Sequence, residues 1–199
     1  MFKQKRTKDS KLILIGANLI PLFGVLFGDW NFFSVILIFW AENAVLGFFN
    51  IFRILKAEKG EKFSGAGKIG LAIFFLIHFG FFTLVHGVFV FAFFGQNQAL
   101  NPLALAIGFS GLFLSHGYSF FKNYLGREEY KNITTKVAMF LPYKRIVILH
   151  LTIILGGFLA MMFRAGFLAV VFLIILKIMI DLGIHTWEHE RYLEKRKEI

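Results

Sequence analysis

The sequence predicts an all-α fold: an integral membrane bundle of six transmembrane helices with both termini in the cytoplasm. Three observations carry that expectation. Apolar residues make up 57% of the 199 and charged residues only 17%, where a water-soluble domain carries about 25% charge. The apolar residues fall into unbroken runs, and a helix needs about 20 such residues to cross a bilayer. The basic residues sit between those runs, and 20 of the 22 fall on one side of them.

Taken in order, the expected spans are residues 12–28, 32–55, 69–94, 103–121, 146–163 and 165–185 of a single domain, 1–199. The first is short and interrupted by Pro21. It resembles a secretion signal, but no small-x-small cleavage site precedes Asp29 and further spans follow, so it reads as a retained helix. The third is long enough to tilt. Residues 125–145 mix Lys with a late apolar cluster and predict an interfacial segment on the inner leaflet, where anionic lipid attracts lysines.

Orientation follows from charge. Lys3, Lys5, Arg6, Lys8 and Lys11 precede the first span, and Arg53, Lys56, Lys59, Lys62 and Lys68 separate spans two and three. Lys122, Arg127, Lys131, Lys136, Lys144 and Arg145 separate spans four and five, and Arg191, Lys195, Arg196 and Lys197 follow the sixth. The positive-inside rule puts that side in the cytoplasm. The net charge of +10 is thus a topology signal, not the basic face of a nucleic-acid-binding domain. With no Cys in the chain, disulfides, thiolate metal sites and cysteine nucleophiles are excluded.

Ionisable groups in hydrocarbon are costly, so each one inside a span is a candidate for function. Span two carries Glu42, Asn43 and Asn50, span three His78 and His86, span four His116, span five His150, and span six Lys177, Asp181 and His185. Helix rise places Glu42 near the midplane and most of the others in the cytoplasmic half, with His150 near the inner face and His86 toward the outer one. The expected site is therefore a polar cluster of Glu42, Asn43, His78, His116, Lys177, Asp181 and His185 that binds or relays protons, a metal ion or a small solute. Lys177, Asp181, His185 and His189 recur every four residues and form one stripe on their helix. In the plainer reading Lys177 and Asp181 neutralise each other. In the sharper one Asp181 and His185, with His78 or His116, hold a divalent ion such as zinc, ahead of bis-His haem. Glu42 has its own plain reading, a staple that is either protonated or hydrogen-bonded to a His or to Lys177 of a neighbouring helix, for which Glu42→Gln leaves stability nearly unchanged.

The segment Gly108-Phe109-Ser110-Gly111, with a His on span six, resembles the nucleophile and base of rhomboid proteases. Ser110 and His185 lie at opposite depths, and a nucleophile must reach its base. His185-x-x-x-His189 is loosely similar to the paired His of membrane zinc hydrolases such as the ceramidases.

Over nearly its whole length the chain resembles a family of small bacterial and archaeal polytopic membrane proteins, a domain of unknown function, DUF6498. The resemblance rests on Pro21-Leu22-Phe23-Gly24, Trp40-Ala41-Glu42-Asn43, Gly47-Phe48-Phe49-Asn50, His78-Phe79-Gly80, His86-Gly87 and Ser115-His116-Gly117. It continues through Asn123-Tyr124, Pro142-Tyr143, His150, Gly156-Gly157 and the stripe from Lys177 to His189. It implies a membrane fold and no particular activity. The function expected is an intramembrane binding or transport site in a multi-pass protein of the cell membrane. The alternatives are a metal-dependent intramembrane hydrolase and a non-catalytic accessory or assembly protein.

Overall fold

The computed structural model describes residues 15–16, 19–28, 30–60, 63–96, 98–162, 171–172, 174–179 and 183. These form helices α1 (residues 19–27), α2 (Phe32–Lys56), α3 (Gly65–Phe94), α4 (Pro102–Ser119), α5 (Thr135–Met162) and α6 (residues 174–179). Among the described residues there is no strand. α4 runs on through a π-helical turn, Phe120–Leu125.

The helices begin where a side chain can take the amide groups that a first turn leaves unpaired. The Asn31 side-chain oxygen accepts from the Ser34 amide at 2.8 Å, and that of Asn101 accepts from Ala104 at 3.0 Å, just ahead of Pro102. The Ser64 hydroxyl accepts from Gly67 at 3.3 Å, and Thr134 accepts from Val137 at 3.3 Å. Three of the helices are long and apolar enough to cross a membrane: Phe32–Lys56, Gly65–Phe94 and Pro102–Leu125.

α2 is the central helix. In its most apolar stretch 67% of residues are buried, against 33% in α3 and in α4. It packs on α3, α4 and α5. Side-chain pairs along each interface fix the directions. Against α3, Phe33 meets Phe91, the Trp40 indole donates to the Thr83 carbonyl at 2.8 Å, and Gly47 faces Phe79, so these two are antiparallel. Against α4, Ile38 meets Gly108 and Phe49 meets Gly117, which is a parallel pairing. α5 follows α3 in parallel, with Tyr143 beside His78, His150 beside His86 and Gly157 beside Phe94.

Successive helices therefore alternate in direction, and the connections gather at two ends. At one end Glu58 and Lys59 donate their amides to the carbonyls of Tyr130 and Ile133 at 2.9 and 3.1 Å, tying the α2–α3 loop to the α4–α5 loop. Arg53, Lys56, Lys68 and Lys131 cluster here, with Arg53 over the Tyr124 ring and Lys56 over Tyr130. At the other end the Asn31 amide donates to the Ala99 carbonyl at 2.8 Å, and residues 95–101 contain no Lys or Arg.

α5 departs from expectation. It starts at Thr135, well before Ile146, and carries Pro142 inside it. Residues 135–145, the later part of the stretch expected to be interfacial, form the first turns of this helix. The Thr134 cap supplies the start, and the apolar residues Ala138, Met139 and Ile146 are buried. Spans one and six, residues 12–28 and 165–185, fall partly outside the described residues.

Two substitutions test this packing. A Cβ on Gly87 would lie 2.7 Å from the Trp40 ring, which its hydrogen bond to Thr83 holds in place. Gly87→Ala should lower thermal stability by about 1–3 kcal/mol through overpacking and change the Trp fluorescence. Glu128, the one non-glycine residue with positive φ among those described, has φ 57°. Its side chain makes an exposed ion pair with Lys131, a class of contact that contributes little. Glu128→Gly should leave the fold intact and raise the melting temperature slightly, because the left-handed backbone disfavours a side chain.

Candidate functional site

Glu42 sits on the buried side of α2, about 15 Å from the start of the helix and 21 Å from its basic end by helix rise. Its carboxylate is 3% exposed. One oxygen lies 2.6 Å from the Lys177 ammonium of α6, and the other 3.2 Å from the Nε2 of His116 on α4. Lys177 is as buried as its partner, 2% exposed, and stands 5.3 Å above the Phe39 ring. Three helices thus deliver a carboxylate, an ammonium and an imidazole to one point. The lysine four-carbon stem packs among apolar residues while its charge is met by the carboxylate.

A carboxylate held by an ammonium and an imidazole is a proton acceptor with two alternative donors. An ammonium on the carboxylate also occupies the position where a metal cation would bind.

Three of the seven expected site residues meet here: Glu42, His116 and Lys177. Asn43 is fully buried next to Glu42, but its amide atoms meet no protein partner among the described residues. His78 goes elsewhere. It is exposed on the outer side of α3, stacked on Phe74, and its Nδ1 is 2.8 Å from the Tyr143 hydroxyl of α5. His78 and His116 therefore face different partners and do not converge. Asp181 and His185 lie outside the described residues. Lys177 engages Glu42, as the plain reading of Glu42 allowed. Among the described residues no three His, Asp or Glu gather into a possible metal cluster.

Depths counted from apolar boundaries are only as good as those boundaries, and His150 shows it. Counted from Ile146 it is about 6 Å into its helix, but counted from Thr135 it is about 22 Å in, level with His86. The two rings meet with centroids 4.2 Å apart, a pair the sequence reading placed at opposite faces. Tyr143 was missed as the partner of His78. The parallel run of α3 and α5 would have revealed both pairs.

These features define a helical bundle whose central helix carries a buried ion pair and a histidine at the core. The chain belongs to the family of unknown function DUF6498, whose model matches residues 1–198. No curated protein and no solved structure matches it.

Proposed function

We propose that this chain is an integral membrane protein of six spans with both termini in the cytoplasm, and that Glu42, His116 and Lys177 are its working site, binding or moving protons together with a small polar solute. The membrane reading is supported by the outer surface. Ile77, Phe81, Leu84, Val88, Leu103 and Leu114 are all exposed, Leu114 by 70%, and so broad an apolar face suits lipid, not water. The basic end, with Arg53, Lys56, Lys59, Lys68 and Lys131, then meets the anionic headgroups of the inner leaflet.

One observation carries the functional reading: a buried carboxylate touched on one oxygen by an ammonium and on the other by an imidazole. Placing two such charges in low dielectric is costly, and well-packed apolar residues of equal volume usually serve stability as well or better. Intramembrane charges of this kind mark ion and substrate pathways. The occupied carboxylate favours protons or a small solute over a metal ion at this point. The ion pair on one carboxylate oxygen and the imidazole on the other support a second reading, a non-catalytic accessory protein in which the trio joins α2, α4 and α6.

Purified protein in vesicles with an internal pH indicator separates the two. Under an imposed pH gradient the wild type should pass protons at least tenfold faster than empty vesicles, and Glu42→Gln should reduce the rate to theirs. A wild-type rate equal to that of empty vesicles, with and without small polar solutes, favours the accessory role.

A further inference from the structure

We propose that His86 of α3 and His150 of α5 form a second, separate proton-binding dyad, reached by water along the Asn50–Asn43 face of α2. His86 is 1% exposed, yet neither of its ring nitrogens meets a protein partner, and nor does Nδ1 of His150. On α2, Asn43 is 0% and Asn50 2% exposed, and all four of their amide N and O atoms lack protein partners. Buried polar atoms left unpaired cost about 1–3 kcal/mol each, and native structures tolerate few of them. Four such side chains concentrated in one part of a bundle point to a small polar occupant.

Position connects them. Trp40 and Gly47 both face α3, and Asn43 lies between them in sequence and within about a sixth of a turn of each. Asn43 is about 16 Å from the start of α2, and His86 is about 12 Å from the end of α3. Those two helix ends adjoin through Phe32 and Phe94, so Asn43 and the dyad are within about one helical turn of the same level. Asn50 lies two turns nearer the basic end on nearly the same face of α2.

The occupant is a proton with its water. Two imidazoles sharing a metal in tetrahedral geometry would hold their ring centroids about 5 Å apart, given metal–nitrogen bonds of about 2.0–2.1 Å. At 4.2 Å and 79° between planes, the rings are too close and pack edge to face. One added proton suits the pair, and a second would place like charges in contact. In the step proposed, hydronium gives its proton to an imidazole nitrogen and leaves as water.

The groups facing the dyad carry no fixed charge among the described residues. The nearest polar group on α3 itself, Thr83, lies three residues before His86, and its hydroxyl donates to the Phe79 carbonyl at 2.9 Å. Phe82 and Phe89 flank His150. The charges Glu42 and Lys177 engage each other, and the remaining basic residues of α3 and α5 lie at the basic end. The dyad therefore stands or falls independently of the Glu42 site.

The test is 15N NMR of the full chain, labelled at histidine, in phosphatidylcholine–phosphatidylglycerol vesicles between pH 8 and pH 4. His86→Phe and His150→Phe assign the signals. The two rings should change together, taking up one proton per chain, and both should show magnetisation transfer from water. In either Phe variant the remaining ring should titrate alone. Asn43→Leu should slow water exchange at the dyad at least tenfold. Two independent one-proton steps, rings that stay neutral throughout, or wild-type rings without water contact would overturn the proposal. The wild-type spectra alone decide this last point, whether or not a variant folds.

Discussion

Lys177→Met is expected to destabilise the bundle by about 3–5 kcal/mol, because it leaves the Glu42 carboxylate buried without its counter-charge. The distances decide the sign. The ammonium is 2.6 Å from one carboxylate oxygen, and both groups are almost wholly buried, so water cannot replace the missing partner. Glu42→Gln, which the sequence alone suggested would be nearly silent, should now be destabilising, since it removes the carboxylate that lies 2.6 Å from the Lys177 ammonium. Glu42→Gln combined with Lys177→Met should recover much of the loss, because neither charge remains to be neutralised. Thermal unfolding of the four proteins in one detergent gives the coupling energy. Additive losses in the double variant would mean that the two charges do not interact.

Phe39→Ala should have the next largest effect, on the order of 3 kcal/mol. Phe39 is 1% exposed and lies among Phe33, Val35, Ile36 and Ile174. Its truncation leaves a void that fixed helices cannot close, and packing, more than transfer from water, holds helices together in lipid. The ring also lies under the Lys177 ammonium, 5.3 Å away. Phe39→Leu keeps most of the volume and removes the ring, so its smaller loss, about 1–2 kcal/mol, reports the cation–π contact. If Leu and Ala cost the same, the ring face contributes and the volume does not.

The helices with the clearest apolar runs were also the most legible. The expected span 32–55 became Phe32–Lys56, 69–94 became Gly65–Phe94, and 103–121 became Pro102–Ser119 with its π-helical extension. Their caps, Asn31, Ser64 and Asn101, are visible in the sequence as small polar residues ahead of apolar runs. α5 was harder to read because Lys136, Tyr143, Lys144 and Arg145 interrupt its apolar pattern. The site was legible as a set of residue types, not as a set of neighbours. Glu42, His116 and Lys177 were candidates because ionisable residues in apolar runs are rare. Which of them meet depends on helix directions and rotations. Thus His78 left the cluster for Tyr143, and His150 joined His86.

The most direct measurement uses the absence of cysteine. Single cysteines are introduced at Lys59, in the loop after α2, and at Gln98, in the loop after α3. Both are probed in whole cells with a membrane-impermeant maleimide. The account predicts that Gln98→Cys reacts on intact cells and Lys59→Cys only after permeabilisation, because α3 crosses the membrane between them. Equal labelling of both positions in intact cells, or recovery of the protein in the soluble fraction, would contradict it.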